Sequence, residues 1–170
     1  MGLRKIALIL SLLMLWGVTV VSAEITRNVD SFTGYSAISS HRYDDNEVLT
    51  EVNLKKTLSP TVSEYEIRLA GKGHKEIRNF ILGNSLVEVK VDDKPTYKLA
   101  PDNYSIKPLA GSYGNIISNV TFGLPIQFAD EIKSAKRVAL RVTMEDGSRY
   151  VYVLPDPVLT EWQQVINTEK

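Results

Sequence analysis

The chain contains no cysteine. That excludes a disulfide framework, thiolate metal ligands and a cysteine nucleophile. Only two histidines occur, His41 and His74, so imidazole chemistry has little to draw on. His41 stands near Asp44, Asp45 and Glu47, yet that spacing matches no ligand pattern. His74 lies between Lys72 and Lys75, whose charges repel a divalent cation. No metal and no cofactor are expected. A surplus of one charge is also missing: Lys and Arg number 20 and Asp and Glu 20, and no basic run interrupts the chain. This balance argues against a nucleic-acid partner. The phosphate loops G-x-x-x-x-G-K-[ST] and G-x-G-x-x-G are absent. Ser112, in Ala110-Gly111-Ser112-Tyr113-Gly114, does not fit the G-x-S-x-G nucleophile elbow. No catalytic residue is assigned. Asp92, Asp93, Glu145 and Asp146 read as turn residues before they read as an acid–base pair.

What is present begins with an apolar opening. Arg4 and Lys5 precede Ile6 to Trp16, a run broken only by Ser11, and Val21-Ser22-Ala23 supplies the small residues of a cleavage site. Residues 1–23 are therefore expected to be a signal peptide and residues 24–170 a single mainly-β domain. The alternative is a retained anchor, because the apolar stretch to Ala23 has about the length that crosses a bilayer. On the first reading the chain is exported, to a periplasm, a cell surface or the medium, and no membrane span remains after cleavage. Cleavage removes Arg4 and Lys5 and no acid, which leaves a slight acidic excess. A secreted domain without disulfides suggests a bacterial source and a core that suffices, burying roughly 68–70% of the unfolded surface.

The clearest structural signal is Arg137 to Leu154. Val138, Leu140, Val142 and Met144 alternate with Arg137, Ala139, Arg141 and Thr143, the period of a half-buried strand. Asp146-Gly147 then writes a hairpin turn. A two-residue turn sets Val142 against Val151. A three-residue turn with Gly147 left-handed sets Val142 against Tyr150 and Leu140 against Tyr152. The second is preferred, because it collects Val138, Leu140, Val142, Tyr150, Tyr152 and Leu154 on one wall. Tyr150 to Leu154 is apolar on both faces, which predicts a strand inside a sheet.

Other strands are predicted in Phe32–Arg42, Glu47–Lys55, Glu64–Leu69, Lys75–Leu82, Leu86–Val91, Thr96–Leu99 and Asn115–Phe122. Glu24 to Ser31 reads as a loosely held polar arm. Pro125 to Lys136 reads as a short helix, with acids Asp130 and Glu131 nearer its start and Lys133 and Lys136 nearer its end. A terminal helix follows Pro155, with Asp156 as N-cap, an apolar stripe of Val158, Leu159, Trp162, Val165 and Ile166, and Thr160, Glu161, Gln163 and Gln164 facing away. Leu140, Val142, Tyr152, Ile67, Val89 and Trp162 are expected in one core.

Seven to nine short strands and two late helices predict an antiparallel β-sandwich or curved sheet, with a short helix before the last hairpin and a C-terminal helix. The alternative is an α+β layer with two helices on one antiparallel sheet. Pro101 to Gly114 reads as the least regular segment. It holds Tyr104, Gly111, Tyr113 and Gly114, and long irregular segments in compact domains are often functional. Tyrosine offers large contact area with few rotatable bonds, so these residues are the candidate binding face. Tyrosines capping the ends of the core explain the same pattern. The function expected is that of an exported, non-enzymatic β-domain with a binding or envelope-assembly role, its partner a protein or envelope component. The alternatives are a secreted or periplasmic enzyme and a small-molecule carrier. The Asn103-Tyr104-Ser105 and Asn119-Val120-Thr121 glycosylation patterns are taken as chance matches.

Overall fold

The computed structural model describes residues 24–31, 33–41, 48–59, 61–74, 81–111 and 113–169. The expected signal segment, the carboxylates beside His41, Ser112 and most of the expected Lys75–Leu82 strand lie outside them. The elements in order are β1 (Glu24–Val29), β2 (Ser36–His41), β3 (Glu51–Leu58), β4 (Ser63–His74), β5 (Val87–Val91), β6 (Tyr97–Leu99), β7 (Asn103–Pro108), β8 (Asn115–Leu124), α1 (Ile126–Ile132), β9 (Val138–Thr143), β10 (Arg149–Val153) and α2 (Asp156–Asn167). Among the described residues the fold is mainly β, with two antiparallel sheets and two helices. One sheet has six strands in the order β1-β2-β3-β4-β8-β7, the other four in the order β10-β9-β5-β6.

Alternation makes the central strands two-faced. In β4, Tyr65, Ile67 and Leu69 are buried while Glu64 and Arg68 are exposed, and in β9 Val138, Leu140 and Val142 are buried while Arg141 is exposed. The inner faces of both sheets and the apolar stripe of α2 meet in one cluster. It contains all six expected core residues, Ile67, Val89, Leu140, Val142, Tyr152 and Trp162. Helix α2 packs on β2, β3 and α1, and α1 packs on β4. Gln163 ties the two helices together by donating to the carbonyls of Ile132 and Ala135 at 3.1 and 2.9 Å.

The β9–β10 hairpin has the three-residue turn. Val142 faces Tyr150, Leu140 faces Tyr152, and Gly147 sits at φ +84°. In that conformation glycine avoids the Cβ clash that other residues meet.

Several expectations need correction. Glu24–Val29 is a strand, not a loose arm; none of its described side chains is buried, so its hold on β2 is the backbone ladder and the Thr26–Ser39 hydroxyl contact at 3.1 Å. Pro101–Gly114 contains a strand: β7 occupies Asn103–Pro108, its weak apolar pattern hidden because most of its side chains stay in solvent. Strand β10 lies at the edge of its sheet, not inside it. Helix α1 ends at Ile132, before the lysines, and has no acid in its first turn, so the dipole pattern does not apply. Helix α2 starts at Asp156 itself, with Pro155 as N-cap and no side-chain cap bond. Glu161 is buried at 7% exposure, not turned away.

A buried cation holds the end of α2. Lys56, on the inner face of β3 and 6% exposed, donates to the carbonyls of Ile166 and Thr168 at 2.7 and 2.8 Å. These acceptors lie at the negative end of the helix, where a cation is favoured. Burial, with help from Lys133, pushes the Lys56 ammonium below its usual range.

Candidate functional site

The tyrosines and glycines of the expected binding face are divided between two places. Gly111, Tyr113 and Gly114 form the turn between β7 and β8, where both glycines have φ +76° and Tyr113 is 88% exposed. A Cβ on Gly114 would sit 2.3 Å from His74 Nε2, so a side chain there would strain the backbone at its positive φ and displace the His74 ring. Tyr104 lies at the other end of β7, opposite Val120, and packs against the core. Burial, then the charge of Glu145, raises its pKa. Tyr104 is four residue steps from Pro108 at the turn end, about 13 Å at strand rise. The two tyrosines therefore do not share one contact patch.

A denser arrangement stands on the outer face of the four-stranded sheet. Strand pairing places Val151, Arg141, Glu88 and Lys98 in one row across β10, β9, β5 and β6. The adjacent row opens with Arg149 opposite Thr143, and the row on the other side holds Val153, Ala139 and Lys90. Directly opposed side chains have Cβ atoms about 5 Å apart and diagonal ones about 7–8 Å. Arg141 engages Glu88 through both Nε and Nη2. A guanidinium has five N–H donors, so three of those on Arg141 remain beyond that contact. Among the described residues Lys98 and Arg149 have no ion-pair partner. Two hollows flank the Glu88–Arg141 pair. One, about 560 Å³, is lined by Asn84, Lys98, Thr143 and Arg149 among others. The second, about 390 Å³, reaches Lys90, Asp92, Asp93, Arg137 and Val151. The first gathers three cations around one carboxylate; the second is balanced. Sequence reading missed this face because its charges come from four strands spread between positions 88 and 149. The outward positions of each hairpin were readable, but not which strands would be neighbours.

The outer face of the six-stranded sheet is also charged, and a hollow of about 410 Å³ there brings Arg68, Lys72 and Lys107 around Glu51. Arg68 lies 3.6 Å from Glu51 and donates to Asn119 Oδ1 at 3.2 Å. At the far end of the small sheet Tyr97 donates to Glu131 at 3.0 Å, and Lys94 lies 3.6 Å from the same carboxylate. Burial, then Glu131, raises the Tyr97 pKa. Trp162 Nε1 is buried without an acceptor among the described residues. Among the described residues no three His, Asp or Glu side chains converge into a metal site, and no helix is long and apolar enough to cross a membrane.

The fold and this face define a cysteine-free, two-sheet β domain with helical cover and an open cationic surface. No family model matches the chain, and no curated protein or solved structure matches it.

Proposed function

We propose that the chain is an exported, non-enzymatic β domain that works by binding a protein or cell-envelope component through the outer face of its four-stranded sheet. The apolar opening up to Ala23, with its small-residue ending, supports export. The cation-rich hollow carries the binding reading: Lys98, Arg141 and Arg149 line it with a single carboxylate, Glu88, among them. Such a surface raises association rates with acidic partners and confers specificity for them. A catalytic centre would instead be expected to hold a titratable pair with environments that push their pKa values apart.

The test is capture from envelope and soluble fractions by the wild-type protein and by Lys98→Glu/Arg149→Glu, with melting temperatures measured alongside. Both positions are outward-facing, so the variant should keep its stability and lose its partner. Capture that survives the charge reversal places binding elsewhere. Intact mass tests export: the native protein should begin at Glu24 or within a residue or two, and recovery from membranes with Met1–Ala23 attached overturns that part.

A further inference from the structure

Edge strands expose a row of unpaired N–H and C=O groups, and proteins protect them with short length, charge or proline. Among the described strands, three of the four sheet edges have such protection. Strand β6 is only three residues long and carries Lys98. Strand β7 ends in Lys107-Pro108. Strand β1 carries Glu24 and Arg27. Strand β10 has it only at its first residue, Arg149; beyond that it reads Tyr-Val-Tyr-Val, with no charge, proline or bulge. Its outward valines, Val151 and Val153, are 54% and 41% exposed. Its composition is that of an interior strand, yet no described strand pairs with its far side.

The register fixes which backbone groups are open. Met144 N–H donates to the Ser148 carbonyl and Leu154 N–H to the Val138 carbonyl. Alternation along an antiparallel ladder then turns Tyr150 and Tyr152 toward β9 and points the N–H and C=O of Arg149, Val151 and Val153 outward.

We infer that β10 accepts one further antiparallel strand from a protein partner, whose outward side chains are apolar opposite Val151 and Val153 and acidic opposite Arg149. The inference rests on the binding reading above and names its partner class. Strand addition uses main-chain bonds for affinity and alternate side chains for specificity. Charge selects the occupant. Arg149 stands on the edge strand, Arg141 beside it is paired with Glu88, and Lys90 and Lys98 lie further in, so the face keeps a cationic excess that attracts an acidic strand. A second copy of this chain would join two cationic faces and set Arg149 against Val153.

The test uses the synthetic peptide Thr-Val-Thr-Val-Thr-Glu-Thr with amide exchange read by NMR. Without peptide, the amides of Arg149, Val151 and Val153 should exchange fast and those of Tyr150 and Tyr152 slowly. Peptide should slow the first three. Replacing its Glu by Lys should weaken binding about tenfold or more, a difference of about 1.4 kcal/mol. Val151→Pro removes an outward donor at a site where an edge tolerates proline, and Val151→Lys adds an edge charge. Both should abolish the peptide effect at an unchanged melting temperature. Equal binding of the Glu and Lys peptides, or no protection of the three amides, overturns the inference. A concentration-dependent dimer that Val151→Lys abolishes also overturns it, in favour of a second copy. If strand addition fails while Lys98→Glu/Arg149→Glu still loses capture, the binding function stands and only its mode falls.

Discussion

Strands β7 and β10 are each the outer member of an antiparallel hairpin at the edge of a sheet, but their side chains are used differently. Strand β7 packs Tyr104 on the core and leaves most of its length in solvent, and its end is guarded by Lys107 and Pro108. Strand β10 buries Tyr152, partly buries Tyr150, and leaves two valines outside. The backbone ladder and the glycine turn hold β7, whereas side-chain burial anchors β10 in the core. Being anchored, β10 can leave its outward edge open without fraying, which suits the strand addition proposed above, where register must be fixed.

The largest test of this contrast removes what both edges share. Trp162 is fully buried where α2 meets the inner sheet faces. Trp162→Ala should cost about 3–5 kcal/mol in denaturant unfolding, and both edges should be lost in one transition. Edges that unfold separately would show two cores in place of one.

A smaller loss is expected at Lys56. Truncation in Lys56→Ala leaves the Ile166 and Thr168 carbonyls without their donor, which should destabilise the protein by about 1–3 kcal/mol. Amide exchange should accelerate first in the last turn of α2. An unchanged stability would mean that water replaces the ammonium without penalty.

The two tyrosines of the β7–β8 hairpin sharpen the comparison. Tyr104→Ala removes a half-buried ring and should cost about 1–2 kcal/mol, part of the full-burial value. Tyr113→Ala at the exposed turn should stay within about 0.5 kcal/mol. Lost capture by Tyr113→Ala at unchanged stability would move the binding face from the small sheet to this turn.

The smallest effect belongs to the turn that carries β10. The Ser148 hydroxyl and backbone N–H hold the Asp146 carboxyl below its ordinary value of 3.8, with the Ser148 N–H at 2.8 Å. Its stabilising contribution is therefore fully present above that unfolded value and is lost as pH falls through the lower folded one. Asp146→Asn should be slightly less stable than wild type at neutral pH, and the gap should narrow as the medium is acidified toward about pH 3. A gap independent of pH would show that the carboxylate charge plays no part in the turn.

Much of the architecture was legible in the residues. The alternation in β4, β5 and β9, the Asp146-Gly147 turn with its three-residue register, and the apolar stripe of α2 all follow from local periodicity, because burial on one face imposes it directly. The polar β1 and the mostly exposed β7 were not legible, since neither presents a continuous apolar face. Glu161 was misread because it borders the apolar stripe beside Val158 and Val165, and that flank of α2 is buried as well. Of the candidate site, expected together in one irregular segment, Gly111, Tyr113 and Gly114 lie in the β7–β8 turn, while Tyr104 lies in β7 and packs on the core.

By itself the sequence determined which side of each strand is apolar, where the chain turns, and that the core needs no disulfide. The tertiary structure alone decided that Glu88, Lys98, Arg141 and Arg149 share one face and that β10 is an edge. The reason is physical. Side-chain hydrophobicity is a property of each residue and repeats along the chain, whereas the main-chain groups that join strands are nearly the same at every position. Which strand lies beside which is therefore settled by how the whole chain buries its apolar faces together.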